Sequence, residues 1–192
     1  MLKDKFIVLG VTGSIAIYKS LHLIRLLKKA GANVQVIMTK SACEFITPLT
    51  FQVISQNPVI TDMFEKPSHW EVEHVALADK ADLFLVAPAT ANIIAKMAAG
   101  IADDMLTSTL LATKARIIVV PAMNVKMYEN PITQRNIYSL IERDIKFIDP
   151  SEGNLACGYT GKGRFPEPTD IVEWIKIILG ENGDFKDKKL LI

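Results

Sequence analysis

With 192 residues the chain is long enough for one sizeable domain that buries on the order of 70% of its unfolded surface, so its core needs no staples. A formal net charge of +1 removes the electrostatic argument for nucleic acid or an anionic membrane surface as partner. Two cysteines and three histidines make neither a disulfide framework nor paired metal-ligand spacing, and no apolar stretch reaches the roughly 20 residues of a membrane span.

Met1-Leu-Lys-Asp-Lys5 leads directly into a strand, not into a secretory signal, and the expected location is the cytoplasm. Phe6-Ile-Val-Leu-Gly-Val-Thr-Gly-Ser-Ile-Ala16 reads as a strand covered on both faces that runs into a glycine turn and a helix, because its apolar run lacks polar alternation. Gly10 and Gly13 permit a sharp turn and close approach of a ligand, and Ser14 is a good N-cap. Unpaired N–H groups and the positive end of the helix dipole favour an anion there. The spacing is Gly-x-x-Gly-x-x-Ala, not the Gly-x-Gly-x-x-Gly of dinucleotide sites. Helical periodicity runs from Ile15 to Ala30, with Lys28 and Lys29 in the last turn and Gly31 as the stop. The second strand, Val34 to Thr39, ends in Thr39-Lys40-Ser41, where a dinucleotide site wants an acidic residue for the ribose. Two hydroxyls and a cation suit a phosphate, so the pattern points to a mononucleotide; a tight turn without ligand is the plainer alternative.

A short helix up to Thr47, a helix opened by Pro48 and a small extra strand at Val59-Ile60 are expected next. Pro67 to Trp70 reads as a loop, and Val72 to Lys80 as a short helix with His74 near its start. Leu83 to Ala87 is the clearest central strand, broken by Pro88 before Ala89-Thr90-Ala91-Asn92 opens another helix. Asp103 and Asp104 precede a helix from Met105 to Thr113, which they are expected to cap. Arg116 to Val120 is a fourth strand ending at Pro121-Ala-Met-Asn124. Asn130 and Pro131 start a helix to about Arg143, and Ile145 to Ile148 is a fifth strand. Asp149 to Pro168 is expected as one long glycine-rich loop, functional or disordered, followed by a helix capped by Thr169 that runs to Leu179 and stops at Gly180. Glu181 to Lys188 looks like a linker, and Lys189-Leu-Leu-Ile192 like the opening of a buried strand in a truncated second domain.

Strands alternating with helices imply an α/β fold, a doubly wound three-layer parallel sheet of Rossmann or flavodoxin-like type. Its ligand belongs beyond the carboxyl ends of the strands, where strand order reverses between strands one and three. The turns at Gly13-Ser14, Thr90-Asn92 and Ala122-Asn124 are expected to converge on that crevice. Three residues stand out for chemistry. His74 is a candidate acid or base, although a lone histidine near a helix start also fits a structural role. Asn124 could hold a substrate or only a turn. Cys157, among Ala156, Gly158, Gly161 and Gly163, reads as a reactive thiol rather than core filler. Arg164 offers a carboxylate or phosphate clamp, or is simply a surface arginine. His22 and His69 have no partner in sequence, and Cys43 is expected to pack in its helix.

Five stretches carry a family resemblance: Gly10-Val-Thr-Gly-Ser-Ile-Ala16, Glu73-His-Val-Ala-Leu77, Ala87-Pro-Ala-Thr-Ala-Asn92, Pro121-Ala-Met-Asn-Val-Lys-Met127 and Gly153-Asn-Leu-Ala-Cys-Gly-Tyr-Thr-Gly-Lys-Gly-Arg164. In this order they resemble the phosphopantothenoylcysteine decarboxylases, among the homo-oligomeric flavin-containing cysteine decarboxylases. The resemblance spans about residues 5 to 180 and implies an FMN-binding decarboxylase domain at 1–180. It also implies that 181–192 is the linker and first strand of a fused phosphopantothenate–cysteine ligase domain. By this resemblance Gly13, Ser14, Ile15, Thr39, Ser41, Thr90, Ala91, Asn92 and Ala122 would contact FMN, with Thr39 and Ser41 near its phosphate. His74 would be catalytic, Cys157 would be the acid on a substrate-covering loop, and Asn124, Met127 and Arg164 would bind the substrate, Asn124 through its carboxylate. Tyr128 stands where many members have Trp.

The implied reaction belongs to coenzyme A biosynthesis. The flavin oxidises the CH2–SH carbon of 4′-phosphopantothenoylcysteine to a thioaldehyde, CO2 leaves, and re-reduction with protonation of the neighbouring carbon gives 4′-phosphopantetheine. No metal is implied, and the relatives form a trimer or an assembly of trimers. Peptidyl-cysteine decarboxylases, which use the His and Asn but lack the loop cysteine, are one alternative. Flavin prenyltransferases and a non-catalytic regulatory flavoprotein subunit are others. Cys157 argues against the first two, and intact His74, Asn124 and Cys157 against the last.

Overall fold

The computed structural model of the chain describes residues 2–63, 73–154 and 160–180. In chain order its elements are β1 (Phe6–Val11), α1 (Ile17–Lys29), β2 (Asn33–Met38), α2 (Lys40–Cys43), α3 (Pro48–Ser55), α4 (Glu73–Lys80), β3 (Leu83–Ala89) and α5 (Ala91–Ala99). They continue with α6 (Met105–Ala112), β4 (Arg116–Pro121), α7 (Val125–Tyr128), α8 (Pro131–Ile141), β5 (Lys146–Phe147), β6 (Ser151–Asn154), β7 (Thr160–Arg164) and α9 (Pro168–Gly180). Strands β1 to β5 form a parallel sheet in the order β2-β1-β3-β4-β5, so the strand order reverses between β1 and β3. This is the doubly wound α/β fold expected from the alternating pattern.

The two faces of the sheet follow from the period of two along each strand. Ile7, Leu9 and Val11 join Val36, Leu85 and Val120 against α1, α3 and α9, whereas Val8, Phe84, Val86 and Val119 pack on the face covered by α5, α6 and α8. Burying each such aliphatic side chain contributes about 1.5–3 kcal/mol, which is why strands covered on both faces carry near-continuous apolar runs. Among the described residues no helix is long and apolar enough to cross a membrane.

Several local expectations are corrected. Helix α1 begins at Ile17, with Ala16 at the N-cap and no side-chain cap bond there, and Ser14 serves the turn before it, its hydroxyl oxygen accepting from Ala16 N–H at 3.4 Å. The backbone closes the rest of the turn: Ser14 N–H donates to the Thr12 carbonyl at 2.9 Å, and Ile17 N–H to the Ser14 carbonyl at 3.0 Å. Pro88 does not end β3. The strand continues to Ala89, with a register shift between Val86 and Ala89 that absorbs the missing proline donor. Pro168, not Thr169, opens α9, where the Glu167 carbonyl accepts from Asp170 N–H. Within the expected loop 149–168, Ser151–Asn154 and Thr160–Arg164 pair as antiparallel strands β6 and β7, hidden in sequence because their glycines and polar residues show no apolar alternation. Strand β7 is docked closely: the Gly163 carbonyl accepts from Met123 N–H at 3.2 Å, and a Cβ at Gly163 would lie 2.5 Å from the Met123 carbonyl oxygen. Other expectations match. Val59-Ile60 supplies a single parallel bridge, Ile60 to Ile37, and Gly31 follows α1 at φ 92°.

Candidate functional site

A cleft of about 680 Å³ opens beyond the carboxyl ends of β1, β2 and β3, at the point where strand order reverses. Of the residues singled out in sequence, Gly13, Thr39, Ser41, Thr90, Asn92 and Met127 line it. They are presented by turns and by the helices that open from them, Ser41 in α2, Asn92 in α5 and Met127 in α7. Gly13 lies in the β1–α1 connection, where a Cβ would stand 2.7 Å from Ser41 Cβ and 3.0 Å from the Ser41 carbonyl oxygen, so only glycine lets the β1 and β2 turns meet. Thr39 is the N-cap of α2, its hydroxyl accepting from Ala42 N–H at 3.2 Å, which leaves Lys40 and Ser41 exposed at the cleft wall. Thr90 is the N-cap of α5, accepting from Ile93 N–H at 3.4 Å.

The remaining candidates lie elsewhere. The Ser14 hydroxyl donates to the carbonyl of buried Ala122 at 3.3 Å, tying the β1 turn to the β4 turn beside the cleft, and Ile15 next to it is 59% exposed. Ala91 is half-buried in the first turn of α5. Asn124 caps α7, its side-chain oxygen accepting from Lys126 N–H at 2.9 Å, one turn before Met127. Arg164 is exposed and bonded to Glu167 at 3.2 Å, and Glu167 also accepts from Lys19 at 2.7 Å. The hydrogen bond from Lys19 holds the Glu167 carboxyl below its ordinary value. His74 is half-buried in the first turn of α4 and is not among the described residues lining the cleft. Cys157 lies outside the described residues.

Sequence reasoning missed several parts of the wall, Thr61-Asp62-Met63 among them, and two of the missed parts are held by hydrogen bonds that reach beyond the local turn. One is Thr12, which lines the cleft although 98% of its surface is covered, since its relative exposure is 2%. The other is the ion cluster of Lys96 with Asp103 and Asp104. Gly100, at φ 70°, ends α5 and turns the chain back, so Lys96 donates to both Asp103 carboxylate oxygens at 2.6 and 2.9 Å and stands 3.7 Å from Asp104. Asp104 also caps α6 through a capping box with Thr107. The only hint in sequence was a basic residue one helical turn before a stop glycine, followed by paired acids.

The hydrogen bond from Lys96 holds the Asp103 carboxyl below its ordinary value and raises the Lys96 ammonium. A lowered acid stabilises the fold above its unfolded value, about 3.9, and loses that contribution as pH falls through the lower folded value. A carbon-detected NMR titration should therefore find the Asp103 midpoint below the ordinary aspartate value, returning toward it in Lys96→Met. An unchanged midpoint in the variant would break the assignment.

Comparison with known proteins bears on the whole unit. Residues 1–180 match the family described as Flavoprotein. The chain is 54% identical over 173 residues to the coenzyme A biosynthesis bifunctional protein CoaBC of Bacillus subtilis, covering 90% of this chain and 43% of that protein. The chain thus spans about half the length of the CoaBC relatives it matches. It is 46% identical over 174 residues to the probable phosphopantothenoylcysteine decarboxylase of Streptococcus mutans, covering 90% of this chain and 97% of that one. The crystal structure of the FMN-dependent cysteine decarboxylase SpaF superposes with a TM-score of 0.81 at 30% identity, covering 94% of this chain and 99% of that one. The match through residue 180 and these relatives show that this chain belongs to the flavoprotein family, with a flavin as its cofactor, and its cleft lies at the strand-order reversal where such a ligand is expected.

Proposed function

We propose that residues 1–180 form an FMN-dependent decarboxylase that converts 4′-phosphopantothenoylcysteine to 4′-phosphopantetheine and CO2. The observation that carries this reading is the cleft at the β1/β3 reversal, whose wall joins a close-packed glycine turn to the hydroxyl and cation set Thr39-Lys40-Ser41. Its donors fit a mononucleotide phosphate, and its volume falls within the roughly 300–1,000 Å³ of small-molecule sites. Likeness over nearly the full length of the S. mutans protein supports the choice of substrate.

FMN, when bound, supplies reversible two-electron oxidation at the carbon bearing sulfur, without which loss of CO2 from a cysteine carboxyl leaves an unstabilised carbanion. The protein's part is binding, orientation and proton transfer. Thr39, Lys40 and Ser41 hold the phosphate, and Gly13, Thr90 and Asn92 shape the wall against the cofactor, with Ser14, Ile15, Ala91 and Ala122 beside it. Asn124 and Met127, on one turn of α7, hold the substrate, Asn124 by its carboxylate. Arg164 serves as a further anion clamp once it leaves Glu167. His74 assists the oxidation and decarboxylation as a base or by orienting the substrate. Cys157 gives its Sγ proton to the carbon that has lost CO2 and regains one from solvent. Ile15 and Tyr18, each 59% exposed at the start of α1, offer an apolar surface that a second copy would cover in a trimer or an assembly of trimers.

The test is incubation of the purified holoprotein with phosphopantothenoylcysteine, following CO2 and product mass. Wild type should release CO2 and form 4′-phosphopantetheine, and Cys157→Ser should release CO2 but accumulate a product two hydrogens lighter. Full turnover by Cys157→Ser would remove that residue from the mechanism. No CO2 from a flavin-loaded wild type would overturn the reading.

A further inference from the structure

We infer that Thr12 is a positioning residue for the cofactor site, a buried hydroxyl that latches the β1–α1 turn to the β3–α5 turn and aims the first turn of α5 at the cleft. This rests on the flavin reading of that cleft. The Thr12 Oγ1–H donates to the Pro88 carbonyl at 2.7 Å, and the same oxygen accepts from Thr90 N–H at 3.1 Å. One atom thus joins residues 76 and 78 positions away in sequence, on the two sides of the crevice.

Both partners need it. The register shift between Val86 and Ala89 takes Pro88 out of the ladder, so its carbonyl looks for a donor outside the sheet. Thr90 is the N-cap of α5, and its N–H precedes the helix and has no intrahelical acceptor. A hydroxyl alone can donate to one and accept from the other through a single atom. Since Thr90 in turn accepts from Ile93 N–H, the latch fixes the cap from which Asn92 and Ile93 face the cleft.

A second hydroxyl provides an internal control. Ser20 is fully buried in α1 and donates to the Ala87 carbonyl at 2.9 Å, one residue from Pro88, yet it does not line the cleft. A merely structural inter-element bond should behave alike at both places. A positioning residue should not.

The experiment compares Thr12→Val, Thr12→Ala, Thr12→Ser and Ser20→Ala with the wild type. FMN affinity is read by quenching of flavin fluorescence, and hydrogen exchange of the Ile93 amide is read on the cofactor-free protein. Thr12→Val and Thr12→Ala should weaken FMN binding about tenfold or more, and Thr12→Ser should restore it to within about threefold. Ser20→Ala should stay within about threefold although its melting temperature falls as far as theirs. Ile93 exchange should speed up in the Val and Ala variants only. Equal losses of affinity in Thr12→Val and Ser20→Ala, or Ile93 exchange unmoved by removing the hydroxyl, would overturn the inference. Failure of the wild type to bind FMN would instead strike the flavin reading, and the exchange comparison would still decide the latch.

Discussion

Gly13→Ala should cost the protein most of its flavin affinity, the largest effect expected from adding one carbon. The new Cβ would stand 2.7 Å from Ser41 Cβ, closer than side chains come, and 3.0 Å from the Ser41 carbonyl oxygen, tighter than ordinary contact. Neither neighbour is the far end of a flexible side chain, so the start of α2, with Lys40 and Ser41 on the cleft wall, has to move. Overpacking of this kind costs about 1–3 kcal/mol, which corresponds to roughly five- to 150-fold in affinity when the displaced wall is the binding wall. Gly10 supplies the contrast. Its added Cβ would meet Leu106 Cδ1 at 2.5 Å, the far end of a side chain that is buried and also lines the cleft, so Gly10→Ala should weaken FMN binding too, but less than Gly13→Ala, which displaces backbone. Fluorescence titration of the two variants checks this, and equal affinities would mean that displacing the Ser41 wall matters no more to the cofactor than displacing Leu106.

The second large effect is expected at His74. In the proposed reaction, replacing it by glutamine should lower kcat by about 10²- to 10⁴-fold, the usual contribution of a positioned acid or base. Flavin content should be retained, because His74 stands in the first turn of α4 and does not line the cleft proposed to hold the cofactor. A stopped-flow record of flavin bleaching on mixing with substrate separates the two roles open to it. If His74 acts on the oxidation, bleaching slows with kcat; if it acts only afterwards, bleaching keeps its wild-type rate while CO2 release slows. A variant that turns over normally would exclude His74 from both steps.

Much of this molecule is legible one window at a time. Unbroken apolar runs such as Ile7 to Leu9 and Leu83 to Val86 declare strands covered on both faces, and Lys28-Lys29 before Gly31 declares a helix end, because burial and backbone conformation act on neighbours in sequence. Strand-helix alternation then leaves few topologies, and with them the place of the cleft at the β1/β3 reversal. The residue types at Gly13 and Thr39 to Ser41 already suggested an anion at that place.

Other features were decided only by the folded chain. The antiparallel pair of β6 and β7 is invisible in its polar, glycine-rich sequence, because pairing and close docking against Met123 hold it instead of apolar alternation. Ser14 looked like the cap of α1, but its hydroxyl accepts from Ala16 N–H in the turn before that helix and donates to Ala122, just past β4. Thr12 finds Pro88 and Thr90, and Lys96 finds Asp103, because a strand irregularity and a left-handed glycine expose groups that no local pattern marks as unpaired. Sequence by itself determined the sheet, its layers and the position of the cleft, since hydrophobic periodicity and helix signals are local. Tertiary structure alone decided which polar groups meet across that cleft, since a hydrogen bond depends on the position of a partner many residues away.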